Sequence, residues 1–446
     1  MRMLALPLLT ALSTLALLTA CATSPATTAH EQAPAPSAPA QPGTSSMVQV
    51  VGLQWLNPLQ RRDYPTEWQL LWTLGLVQPN HDDDMVRARP EKYSKLQLVN
   101  SIAAGNKGRE TFKGYHHKYF DKITGLMHDI YFSSSYNFYN AHSLTDKSTW
   151  RELAGIHVEY ALPAGRLDPV EAADYARNRL IGNFAIGNKH FPTAWTRSTP
   201  PDIRLTMGGP NAGFTSLSAA MTYLQSHPDE TVWAMNWDAP DFPPSDEGLN
   251  ENMVLLVLAG PGYKTGRAPL AWIGLPVTKS VEQFTAQDGV SGTVQAWSAA
   301  IDAAAENAGK HRKDIGYVIH DVGNRTEHSS ARLGPFAQAL TLQLPQLDYL
   351  KDTFNTPALL GEMGAGSALT NVALGIAYAN HIGKTVLVTG TTALAQPVAV
   401  VVAPPAVVRP LQPEQPWFRA RGENHAYLMW WGMRNDAKDK WQGYSY

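Results

Sequence analysis

The sequence predicts an α/β protein with a buried sheet, on three observations. Strand-like apolar runs alternate with helix-spaced apolar positions through residues 151–402, the pattern of strands joined by crossover helices. Several runs are apolar at almost every position, as strands covered on both faces require. The alternation then recurs in the second part of that stretch, which points to an internal duplication with weak identity between the halves. At 446 residues the chain also exceeds what one hydrophobic core holds, so more than one folded unit is expected.

The elements follow in order. Residues 1–21 read as a processing signal: Arg2 gives a positive start, Leu4 to Leu18 is apolar, and small residues precede Cys21. An uncleaved anchor helix, or an ordinary signal with a chance cysteine, fits the same layout. Residues 22–47 are rich in Pro, Ala, Ser and Thr without an apolar period, which is the composition of a disordered spacer. Residues 48–150 are expected to form a smaller N-terminal domain, with a short strand over Met47 to Val51. A helix there carries Trp68, Leu71, Trp72 and Leu76, with Thr66 as its N-cap. The aromatic-rich stretch Tyr131, Phe132, Tyr136, Phe138 and Tyr139 has no clear period, so the fold of this domain is left open.

Residues 151–446 are expected to hold the main α/β domain and an aromatic tail. Ile156 to Leu162 is a strand, and Asp168-Pro169 starts a helix that runs to Leu180. Phe214, Leu217, Met221 and Leu224 repeat at helical spacing, and Thr231 to Trp237 is a buried strand. Met253 to Ala259 and Ala268 to Ile273 are neighbouring strands. The second round has a helix from Val294 to Ala308 that Gly309 ends, a strand over Ile315 to Ile319, and a helix on Leu369, Val372, Ala373 and Ile376 between Ser367 and Gly383. Val386 to Val388 and Val398 to Val402 are strands.

Formal net charge is −2, so there is no basic excess to neutralise phosphates and nucleic acid is not an expected partner. Cys21 is the single cysteine. If it leaves the folded body as part of the leader, disulfides, cysteine metal sites and thiol catalysis leave with it. Gly383-Lys384-Thr385 has the end of a phosphate loop, but Tyr378 stands where the first glycine is needed and the helix precedes the strand. Gly182 and Gly187 are correctly separated, yet Asn188 displaces Lys189. Neither a G-x-S-x-G elbow nor an H-E-x-x-H helix occurs. Asp82, Asp83 and Asp84 beside His81 could ligate a metal, although a solvated helix start explains them more simply. The adjacent His116 and His117 diverge. No metal and no cofactor are expected.

Leu18-Thr19-Ala20-Cys21 resembles the lipobox of bacterial lipoproteins. That resemblance implies lipidation of Cys21 and a periplasm-facing place in the cell envelope. Ala22 favours the outer over the inner membrane.

The order of residues 200–402 resembles the thiolase and ketoacyl-synthase superfamily, which implies a duplicated layered domain with helices around mixed sheets. Gly208 to Phe214 looks like the elbow that carries the cysteine of those enzymes. Asp314 to His320 looks like the strand that delivers a histidine, and Gly361 to Ser367 like their glycine-rich turn. The departures are chemical. A thiolate is needed at the helix N-terminus, and that place falls at Pro210 or Asn211. Glu362 stands where a second histidine is implied, and its charge opposes a developing oxyanion. The first histidine position falls at His320 or Asp321. The expectation is a degenerate scaffold with no catalytic residues, which retains at most an acyl pocket.

Three further blocks, with the opening run Gln54 to Trp68, resemble the type VI secretion lipase adapter family: Trp150 to His157, His227 to Met235 and Asn355 to Gly364. This resemblance implies a non-enzymatic adapter that binds a lipase effector, and with it the secretion spike or an immunity protein. Spike loading is cytoplasmic, so action before export stays open beside a periplasmic role. The alternative is acyl-chain binding or acyl transfer with a replaced nucleophile. Trp417, Arg419, Arg421, Trp430 and Trp431 are candidate partner anchors, being Trp and Arg in an aromatic tail. Ordinary core packing is the competing explanation for them.

Overall fold

The computed structural model describes residues 47–57, 65–78, 84–88, 90, 111–132, 156–184, 186–187, 189, 200–241, 249–264, 269–323, 327–411 and 431. The chain divides into two units, Met1–Thr44 and Ser45–Tyr446, and every described residue belongs to the second.

The first half of the fold contains β1 (Val48–Leu56), α1 (Thr66–Thr73), α2 (Asp84–Ala88), α3 (Phe112–Phe132) and β2 (His157–Pro163). It continues with α4 (Pro169–Asn183), β3 (Asp202–Gly208), α5 (Ala212–Ser226), β4 (Thr231–Asp238) and β5 (Asn252–Ala259). The second half contains β6 (Ala271–Ile273), β7 (Val277–Thr278), α6 (Gly292–Asn307), β8 (Ile315–His320) and α7 (Glu327–Gln343). It closes with β9 (Thr353–Asn355), α8 (Thr356–Leu360), α9 (Ser367–Ile382), β10 (Thr385–Gly390) and β11 (Val398–Ala403).

Strand order runs β3-β2-β4-β5-β1-β6-β11-β10-β8-β9, with β7 beside β11. The order is a palindrome in structure. In the first half β3, β2 and β4 are parallel, then β5 and β1 alternate in direction. In the second half β9, β8 and β10 are parallel, then β11 and β6 alternate in the same way. The halves meet where Val48 to Val50 of β1 pair antiparallel with Ala271 to Ile273 of β6. The duplication expected from the sequence is therefore present strand for strand. Its first copy begins at β1, so the domain boundary expected at residue 150 is corrected. β1 and α3 belong to the duplicated body, and β1 lies in mid-sheet rather than in a separate domain.

Alternation along the strands builds the layers, because successive side chains point to opposite faces. Trp233, Met235 and Trp237 of β4 pack outward with Tyr119, Phe120 and Ile123 of α3 and Ala172, Ala176 and Leu180 of α4. Val232 and Ala234 face inward, with Leu217 and Met221 of α5 and Leu369, Val372 and Ala373 of α9. Val318, Leu387 and Val401 pack outward against Trp297 and Ile301 of α6 and Phe336 of α7. The result is one continuous sheet whose two halves both pack their inner faces on α5 and α9 and carry α3 and α4, or α6 and α7, on their outer faces. It explains the near-continuous apolar strands, since each one is covered on both faces.

Local signals behave as their chemistry requires, with one shift. Asp168 caps α4 by accepting from Glu171 N at 2.9 Å, and Pro169 opens the helix. Gly383 ends α9 at φ 75°, in the left-handed region. The expected N-cap Thr66 is instead the first helical residue of α1, with Pro65 before it. Its hydroxyl is taken by Gln54 Nε2 at 3.0 Å, which ties α1 to β1. Among the described residues no helix is long and apolar enough to cross a membrane.

Candidate functional site

The central helices α5 and α9 start close together, and each start docks on the other half of the fold. Gly208 ends β3 so that the chain turns through Gly209, Pro210 and Asn211 into α5, and a Cβ on Gly208 would lie 2.9 Å from that of Ala212. The expected elbow is real. Asn211 then lies against Gly390 at the end of β10, where a Cβ on Gly390 would overlap the Asn211 Oδ1 atom. Thr392 Oγ1 is 3.4 Å from the same oxygen. The reciprocal contact is made by Asp238 at the end of β4. Its Oδ2 accepts from Ala365 N at 2.9 Å, in the turn that leads into α9. A Cβ on Gly364 would overlap that oxygen. A carboxylate at this position also faces the positive end of the helix. Between the two starts, a Cβ on Gly213 would sit 2.9 Å from the Ala368 Cβ, so the helices approach as closely as backbone allows.

Asp321 follows β8 and is buried. Its Oδ1 accepts from Thr391 N at 2.6 Å and from Thr391 Oγ1 at 2.8 Å. Burial pushes the Asp321 carboxyl up to about 6, with Glu362 acting in the same sense and Thr391 and Arg332 against it. Glu362 is exposed, and its Oε1 sits 3.2 Å from where a Cβ on Gly323 would be. Gly323, at φ 92°, keeps that space open. Asn211 and Asp321 are thus joined through the turn at Gly390 to Thr392, and Glu362 adjoins Asp321 beside Gly323.

His320 is not part of it. Its ring faces the outer layer, 5.4 Å from the Phe336 centroid, with Tyr349 OH 3.4 Å from Nε2. Burial lowers its pKa to about 4, so it is neutral at pH 7. The sequence left His320 and Asp321 as alternatives for one position, and the two side chains point apart, His320 to Phe336 and Asp321 to Thr391. Sequence reasoning missed Asp238, Thr391 and Arg166. Asp238 had a legible signal, a charged residue closing an apolar strand. Arg166 had none: Nη1 donates to Asp238 Oδ1 at 2.7 Å, a contact spanning two loops.

Asp238 too is pushed up to about 6 by burial, against the opposing pull of Ala365 N and Arg166. Both carboxyls are raised, so the native state holds protons there that the unfolded chain has released between about pH 4 and 6. Their stabilising contribution is full below about pH 4 and is lost as pH rises through 6. Asp321→Asn should therefore lose its disadvantage to wild type as pH rises, by up to about 3 kcal/mol for a shift of about two units. Denaturation midpoints of both chains at pH 4 and pH 7 read this. A pH-independent difference would contradict it.

Other candidate positions are placed as follows. Cys21, Trp417, Arg419, Arg421 and Trp430 lie outside the described residues, as do His81, Asp82 and Asp83. Asp84 opens α2 and pairs with Arg87, the solvated helix start expected of it. His116 is buried beside Tyr160 and Trp237 while His117 stacks on Tyr175 at 3.5 Å, so the two rings diverge. Among the described residues no three metal-ligating side chains gather. The Trp431 assignment is corrected. This residue is 5% exposed and packs in the central core, so it is not a free surface anchor.

The turn into buried α5, the glycine-rich turn into α9 and the helices on both faces of the sheet make a fold similar to that of solved ketosynthases. The ketosynthase from module 1 of the bacillaene synthase of Bacillus amyloliquefaciens FZB42 superposes with TM-score 0.51 at 7% identity, over 82% of this chain and 74% of that one. The ketosynthase from module 6 of the bacillaene synthase of Bacillus subtilis 168 gives 0.50 at 12% identity, over 80% and 72%. Both likenesses concern the fold. Within it, residues 274–404 match the family model described as Type VI lipase adapter protein Tla3, C-terminal. That stretch spans β7 to β11, and the resemblance read from the sequence is borne out over it. No curated protein matches the chain.

Proposed function

We propose that this chain is a non-enzymatic adapter that binds a lipase effector of the type VI secretion system and aids its delivery, with the spike or an immunity protein as a further partner. The observation that carries this reading is the match of residues 274–404 to the lipase adapter family. The chemistry of the elbow supports it. Pro210 and Asn211 offer no nucleophile, Glu362 replaces a proton-donating imidazole with a carboxylate, and the Thr391 hydroxyl is bonded to Asp321. The chain is anchored in the cell envelope through lipid on Cys21, on the periplasmic side and in the outer membrane by preference. The lipobox-like leader supports that placement, and action on the effector before export is compatible with it.

The full chain, tagged at its C-terminus and co-expressed with a type VI lipase effector, is expected to co-purify with it and to leave unrelated lipases behind. The same preparation is expected to turn over no acyl thioester and to carry no covalent acyl adduct by mass. Absence of the lipase from the eluate would remove the adapter reading. Turnover or an adduct would assign the scaffold to acyl transfer instead.

A further inference from the structure

His157 opens β2 and is 1% exposed, yet both of its ring nitrogens face carboxylates. Nε2 lies 2.9 Å from Oε1 of Glu159, which follows it on the same face of the strand and is itself buried. Nδ1 lies 3.2 Å from Oδ2 of Asp202, the first residue of β3. The register sets this contact, because His157 and Asp202 are partners across the parallel strands. The ring also lies flat on Tyr223 of α5, with centroids 3.6 Å apart and planes 13° apart. Tyr223 carries His227 on its other face at 3.9 Å, and its hydroxyl donates to Glu230 Oε2 at 2.6 Å. Arg204 of β3 holds Asp202 Oδ2 at 3.0 Å from the solvent side.

A neutral imidazole has one N–H and one lone pair. Whichever tautomer forms, its lone pair faces a carboxylate oxygen, at 2.9 Å or at 3.2 Å. The imidazolium has an N–H for each. It also sets a positive charge against the face of Tyr223 and beside the buried Glu159, which makes no other ion pair among the described residues.

We infer that His157 is a proton-operated clasp: as the imidazolium it ties β3 to β2 and α5, and loss of its proton releases that tie. β3 is an end strand, with β2 alone beside it among the described strands. Its far end is Gly208, where the chain turns into α5. The direction follows from the chemistry. The tie is present while the ring holds its proton and is lost as pH rises past the point of release. Histidine suits the task, since its charge changes within the physiological range. The clasp rests on these contacts and not on the adapter reading.

The full chain labelled with nitrogen-15 at histidine reads the ring directly, with His157 identified by its contact with the Tyr223 ring. Over a pH titration its two nitrogens are expected to show an imidazolium at the acidic end and a neutral ring at the basic end. Hydrogen exchange is then measured at both ends, corrected for the intrinsic effect of pH. When the ring turns neutral, the amides of Asp202 to Gly208 are expected to lose at least tenfold in protection relative to those of Leu255 to Leu258 in β5. Asp202→Asn changes a half-exposed side chain, so it is expected to fold and to abolish that loss. A ring that keeps one state throughout the folded range would overturn the clasp. So would β3 protection indifferent to the proton, or a loss that survives in Asp202→Asn. None of these measurements involves the lipase.

Discussion

Gly364→Ala is expected to lower the unfolding free energy by about 3 kcal/mol, through positive-φ strain and overpacking together. The residue sits at φ 50° in the turn that starts α9, where a Cβ would overlap Asp238 Oδ2. The carboxylate has little room to withdraw. It also accepts from Ala239 N at 2.8 Å and from Arg166, which in turn holds Ala239 O and Asp241. The pair Gly364→Ala and Asp238→Ser separates the two causes: removing the longer carboxylate should restore part of the loss, since strain at φ 50° stays while the overlap goes. Urea denaturation of the single and double variants measures this. Additive losses would show that the glycine is needed for its dihedral alone. Gly390→Ala is the counterpart in the other half, because Asn211 approaches Gly390 as Asp238 approaches Gly364, and a loss of similar sign is expected.

Asn252→Ala is expected to cost about 3 kcal/mol by stranding buried partners. Asn252 is fully buried at the start of β5, where it bridges the halves. Its Oδ1 accepts from Trp55 Nε1 of β1 at 2.6 Å, and its Nδ2 donates to Gly366 O at 2.9 Å and to Thr370 Oγ1. Alanine leaves the indole N–H and the Gly366 carbonyl without that partner, and opens a space that Gly366 cannot fill. Asn252→Asp keeps the acceptor for Trp55 but puts a carboxylate against the Gly366 carbonyl, so it is expected to be no milder. Thermal unfolding monitored by Trp fluorescence reads both variants. A loss below about 1 kcal/mol for alanine would mean that water replaces the bridge.

The starts of α5 and α9 are occupied by Asn211 against Gly390 and Asp238 against Gly364, contacts that fix the halves to each other.

How much of this was legible follows from which interactions are local. The strands from Thr231 to Trp237 and Met253 to Ala259 announced themselves because burial on both faces leaves no polar alternation. Asp168 and Gly383 marked helix ends by satisfying their own backbone neighbours. The chemistry of the elbow was also readable, since no neighbour can turn Pro210 into a nucleophile. By contrast, β1 looked like a short outlying strand. Only pairing with Asn252 to Ala259, two hundred residues later, and with β6 reveals it as the seam of the duplication. α3 escaped because its apolar face is aromatic and mixed with His and Lys, which blurs the period.

The sequence by itself determined the fold class, the alternation of elements and the absence of a thiol at the helix start, because these are properties of residue type and near neighbours. Tertiary structure alone decided that residues 48–56 sit in mid-sheet, that Asp321 rather than His320 bonds the turn after β10, and that Trp431 is buried against Leu53. Each of those depends on register and on segments distant in the chain. A one-residue change of register reverses the face of every side chain on a strand, and nothing in the local sequence fixes it.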